Sequence, residues 1–241
     1  MARAQAFLPD GTEINIRHIE QTDLDSINLR CWPERGTLDR LFADQGTIGM
    51  AAWEKDKCVG LLHCYRVGLP DGVNENWPEW SAWWWQGGRV FSREGQWGPR
   101  KVDLGLTGQG WCHACIHVGR TLESAKTDEP DAKYFGHGIG TALCTGSVEW
   151  ARDNGYSAVL AAGAADGLIE FARWGGILPW TTYAKQGFRA YSVPAEESDK
   201  LPGWAKGEIH EPIRSEISSA LKSRPVHEIL LRLMVLDLEN D

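Results

Sequence analysis

Residues 134–143 read Tyr-Phe-Gly-His-Gly-Ile-Gly-Thr-Ala-Leu, with Gly136, Gly138 and Gly140 at every second position just ahead of a helical apolar pattern. Glycine has no Cβ, so a ligand can lie directly on the backbone. A helix starting there aims unpaired N–H groups and a partial positive charge at that ligand. Together these features suit a phosphate or pyrophosphate. The alternative is a glycine-rich helix start used only for tight packing.

Two common phosphate loops fail on spacing. The dinucleotide fingerprint G-x-G-x-x-G/A ends on Thr141 when started at Gly136 and on Leu143 when started at Gly138. The Gly-Lys-Ser/Thr triplet of the nucleotide-triphosphate loop does not occur in the chain. The spacing instead resembles the acyl-CoA loop Q/R-x-x-G-x-G/A of the GNAT superfamily of acetyl-CoA-dependent N-acetyltransferases. Its defined positions fall on Phe135, Gly138 and Gly140. The resemblance implies that Phe135, Gly136, His137, Gly138, Ile139, Gly140 and Thr141 bind acetyl-CoA. Phe135 departs from the pattern, which removes a polar group near the diphosphate but leaves the backbone cradle.

The flanking segments follow the same family order. Asn15 to Ile19, then Thr22 to Asp25, resemble its opening strand and capped helix, with Thr22 as the expected N-cap. Ile48–Glu54, a charged turn at Lys55-Asp56-Lys57, and Cys58–Tyr65 read as a hairpin. Trp111 to Val118 resembles the strand before the CoA loop, and Tyr156 to Ala162 the strand after it. Tyr183-Ala184-Lys185-Gln186-Gly187-Phe188 matches the late Y-x-K-x-G-F motif at all four defined positions. The implied fold is α/β and GNAT-like: a mixed, splayed central sheet flanked by helices. We expect a single domain over 1–241, with insertions at about 70–109, 121–133 and 194–226. A helix is expected at Ile213 to Lys222, and a closing strand at His227 to Leu238.

The chemistry implied is direct transfer of acetyl from acetyl-CoA to a primary amine in a ternary complex. A protonated amine must lose its proton, and the departing thiolate gains from an acid. The resemblance places Tyr183 as that acid. It departs from the family at Gly176, where Asn is common, and Pro179 interrupts the helix that would carry the tyrosine. His113 and His117 lie on the strand before the loop, and imidazole suits a general base. His117 is the chosen candidate, with Glu54 and Glu123 as alternatives. Main-chain groups at Ile116 and Val118 are expected to pair with the pantetheine arm. Arg120 is placed either on a CoA phosphate or on Glu123.

Composition excludes some classes. A net charge of −8 over 241 residues argues against a nucleic-acid partner and is compatible with a cationic, small-molecule amine. No apolar run approaches the ~20 residues of a membrane helix, and the first residues lack the apolar core of a signal peptide, so the expected location is the cytoplasm. Cys112 and Cys115 point to opposite faces of a strand, so no shared metal ion is expected there. Six of the thirteen tryptophans lie between 77 and 97. Such a density calls for burial, as a satellite cluster, a homodimer contact or a substrate lid. Two other functions stay open: a non-catalytic acyl-CoA sensor, and a Trp-mediated interaction protein on the same scaffold.

Overall fold

A computed structural model describes residues 4–28, 34–69, 105–124, 129–192 and 210–239. It contains a mixed, open sheet of nine strands flanked by helices. The chain divides into two compact units, one built from residues 1–66 and 113–156, the other from 67–112 and 157–241. The Trp-rich segment at 77–97 lies outside the described residues.

In the first unit, β1 (Gln5–Phe7), β2 (Glu13–His18), β3 (Gly49–Glu54) and the start of β4 (Lys57–Leu69) pair in sequence order, antiparallel from β1 to β4. The β3–β4 hairpin forms where the charged turn was expected, with Lys55 in the left-handed region at φ 54. β1 was not anticipated, being only three residues long. Most of β3 and β4 is buried on both faces, so these strands read as continuous apolar runs.

A 3₁₀ turn over Gln21–Asp25 follows β2. Its N-cap is Glu20, not Thr22. The cap is decided by Asp23, which accepts from the Glu20 N–H at 2.8 Å and from both guanidinium nitrogens of Arg17 at 2.6 and 2.7 Å. Helix α1 (Arg35–Gln45) ends at Gly46 in the left-handed conformation. Its last residue, Gln45, is buried and satisfied: it donates to the carbonyls of Thr47 and Cys64 and accepts from the Arg66 N–H. Helix α2 (Ile139–Asp153) packs on β1, β2 and β3, burying Leu143, Cys144, Ser147 and Ala151.

β5 (Gly108–Val118) runs through both units, with His113 the first of its residues in the first. The second unit holds β6 (Ala158–Ala164), β7 (Leu178–Pro179), β8 (Arg189–Ser192) and β9 (Arg232–Asp237). β9 pairs antiparallel with β6 on one side and with β8 on the other, and β7 pairs parallel with β6. Helices α3 (Ile169–Gly175), α4 (Trp180–Ala184) and α5 (Glu211–Ala220) belong here, α5 close to the expected span. The closing strand is shorter than expected. Val226–Ile229 forms a helical turn, α6, behind Pro225, and only Arg232–Asp237 is extended.

Candidate functional site

The glycine loop opens α2 as its sequence requires. Gly136 and Gly138 sit at φ 78 and φ 74, a region that side chains with a Cβ rarely occupy. Among the described residues, a Cβ added at either would meet nothing within 4 Å. Tight packing therefore does not explain these two glycines; backbone conformation does. Gly138 is the N-cap of α2 and has no side chain with which to cap the helix, and the first turn contains no acidic residue. As in any α-helix, the leading N–H groups, here from Ile139 onward, have no intrahelical acceptor. Ile139 itself is buried, while Gly136, Gly138 and Thr141 are exposed and His137 is half-buried.

β5 brings two histidines to one face. The His113 ring reaches α2, with Nε2 at 3.1 Å from Ser147 Oγ and Nδ1 at 3.9 Å from Cys144 Sγ. Two residues along the same face are Cys115 and then His117, whose Nε2 lies 2.7 Å from Cys115 Sγ. Burial lowers the pKa of His113 to about 3. Burial, with Arg120 adding to it, lowers His117 to about 4. His63 on β4 is lowered to about 3 by burial first and His117 second. All three imidazoles are neutral at pH 7. Ile116 is buried and Val118 half-buried at the end of the same strand.

Tyr183 lies in the second unit. Pro179 does not abolish its helix but caps it: α4 begins at the next residue and lasts five residues. The Tyr183 ring is buried against Phe188, 5.1 Å between centroids, and the Tyr183 carbonyl accepts from the N–H groups of Gln186 and Phe188. Gly176, at the place of the family's Asn, is the left-handed C-cap of α3.

No protein-family profile matches the sequence, and no curated protein matches it. Among solved structures, a yellow fever mosquito (Aedes aegypti) protein designated arylalkylamine N-acetyltransferase 7 superposes with a TM-score of 0.50 at 11% identity, covering 97% of this chain and 92% of its own. The chain has the GNAT fold. Drosophila melanogaster polyamine N-acetyltransferase matches at TM-score 0.43 and 12% identity, over 93% of this chain and 99% of its own. Arabidopsis thaliana NAA60, solved in complex with acetyl-CoA, matches at 0.40 and 15%, over 73% and 87%.

Glu54 and Glu123 both have side-chain partners. Glu54 accepts from the Tyr134 hydroxyl at 2.5 Å and from Lys133 Nζ at 3.0 and 3.2 Å. These bonds, the phenol first, hold its carboxyl below the usual carboxylate range. Glu123 pairs with Lys57 at 3.4 Å on the surface. In the sequence Tyr134 reads only as the residue that leads into the glycine loop, with no role of its own. A tyrosine beside a glycine run carries no pattern that pairs it with a residue 80 positions away.

Proposed function

We propose that the chain is an acetyl-CoA-dependent N-acetyltransferase that passes acetyl to a primary amine by direct attack, with no acyl-enzyme, and that the acceptor is a small molecule. The observation that supports this reading is the N-terminus of α2, opened by two left-handed glycines whose missing Cβ atoms would meet nothing within 4 Å among the described residues. In this reading the amides at 136–141 hold the diphosphate and the main chain at Ile116 and Val118 pairs with the pantetheine arm. Phe135 contributes backbone rather than a polar side chain.

Acetyl-CoA supplies the thioester. The amine nitrogen attacks its carbonyl carbon, the C–S bond breaks, and the Tyr183 hydroxyl gives its proton to the departing sulfur. His117 is assigned to the amine's proton, directly or through water. An imidazole with a pKa of about 4 is unprotonated at pH 7 but holds a proton weakly, so turnover draws on the neutral fraction of the amine. The net charge of −8 is compatible with a cationic acceptor.

Calorimetric titration with acetyl-CoA and with free CoA tests the reading. We expect affinity on the order of micromolar, about −8 kcal/mol, lost in Gly138→Val because the new side chain forces the cap out of its left-handed conformation. Unchanged affinity in a folded variant removes the loop assignment. An acetyl-transfer screen over small primary amines then identifies the acceptor class.

A further inference from the structure

The glycine loop is held by the residues on either side of it. Downstream, Ile139 is buried at the start of α2. Upstream, three contacts converge within five residues. The Asp131 N–H donates to the Gly119 carbonyl at 2.8 Å. The Phe135 ring lies over Gly119, where an added Cβ would come within 3.0 Å of its Cε1. Tyr134 is almost wholly enclosed, and its hydroxyl donates to Glu54 Oε2 at 2.5 Å.

Glu54 is itself braced. Lys133 Nζ contacts both carboxylate oxygens, and the Lys133 and Lys57 ammonium groups lie 5.2 and 6.0 Å from the centre of the Tyr134 ring. The phenol is pushed up, by burial first and Glu54 second, while the carboxyl is held down. Both shifts describe one state, a neutral hydroxyl donating to an ionised carboxylate, which is the strong kind of hydrogen bond. Glu54 ends β3 beside the hairpin turn, so the loop is tied to a rigid part of the sheet.

We propose that Tyr134 and Glu54 are positioning residues whose hydrogen bond sets the glycine loop in its ligand-ready conformation before acetyl-CoA arrives. The proposal rests on the reading of that loop as the CoA site. Its physical basis is that glycines lose the most conformational freedom on ordering. A tether that orders them during folding removes that cost from the binding step. Cutting the tether therefore weakens CoA binding while the chemical step is spared.

The experiment compares wild type, Tyr134→Phe, Glu54→Gln and Glu54→Ala by calorimetry with free CoA and by steady-state kinetics. Tyr134→Phe removes one oxygen and leaves the ring packing intact. We expect it to lower CoA affinity about tenfold and raise KM for acetyl-CoA similarly, with kcat within about twofold. Glu54→Ala should match it, and Glu54→Gln, which keeps an acceptor for the phenol, should restore most of the affinity. A variant that melts earlier yet binds CoA like wild type overturns the positioning role and leaves the loop assignment standing. A fall in kcat with unchanged KM also overturns it. Wild-type protein that binds neither CoA nor acetyl-CoA removes the loop assignment, and this proposal with it.

Discussion

Acid should unfold this protein well above the range where its carboxylates titrate. His63, His113 and His117 are buried in the first unit and reach folded pKa values of about 3, 3 and 4. Unfolded, each imidazole protonates near its ordinary value of ~6.5. The folded state thus binds fewer protons between those limits, and stability falls as pH falls. The contribution is complete above the unfolded pKa and drains away as pH drops from there toward 4. Each histidine adds a slope approaching ~1 kcal/mol per pH unit or slightly more, and the three together cost about 6 kcal/mol between pH 7 and pH 5. That is comparable with the whole stability of an ordinary domain, roughly 5–15 kcal/mol. Urea unfolding followed by far-UV circular dichroism at pH 7, 6 and 5 measures it. His63→Leu removes one titrating ring and should flatten the pH slope by about a third, whatever it does to stability at pH 7. A loss under ~2 kcal/mol from pH 7 to pH 5, or a slope unchanged by that variant, would show that these rings take up protons in the folded state and refute the reasoning.

Tyr183→Phe is expected to lower kcat by about 10²-fold or more while the affinity for CoA stays within about twofold, the mark of an acid needed only as sulfur departs; full activity removes that role. In steady-state assays, kcat/KM should climb with pH toward the pKa of the acceptor amine, without a break near the ordinary histidine value; a sharp plateau above that value would point to a titrating imidazole as base. Asp23→Ala leaves Arg17 and the Glu20 N–H without their shared acceptor and should cost about 2 kcal/mol in urea unfolding. Glu216→Ala uncaps α3, whose first N–H groups at Glu170 and Phe171 donate to that carboxylate at 3.1 and 2.9 Å, and should cost about 1 kcal/mol.

The elements legible in the sequence are those whose signal is local. The hairpin declares itself by two apolar runs around Lys55-Asp56-Lys57, and α2 by the glycines ahead of its helical period. Caps are not legible where a distant or multiply bonded carboxylate decides them. Thr22 has the side chain of a good N-cap, but Asp23 is already drawn to Arg17 and the Glu20 N–H, so the turn starts earlier. Glu216 caps α3 from another helix, 45 residues away, which no local pattern announces. The sequence pattern makes the final strand look longer than it is, because Ile229, Leu231, Leu233 and Val235 alternate throughout, while a helical turn capped by Pro225 occupies the first of them.

At the glycine loop, the position that departs from the acyl-CoA pattern shows how structure alters the weight of a motif. A polar side chain at Phe135 would be expected to touch the ligand. Here the ring lies against Gly119 and joins the contacts that tie the loop down. In the proposed reading the binding device that remains is backbone: amides that need no side chain to be attractive, at a helix end whose first turn holds no carboxylate. A cradle of this kind tolerates the loss of a polar side chain far better than it tolerates a Cβ at Gly136 or Gly138, where the left-handed backbone itself would have to yield. The glycines are therefore the demanding part of the motif in this chain. The side chain at Phe135 is free to serve the loop's anchoring, which is the task Tyr134 and Glu54 share with it.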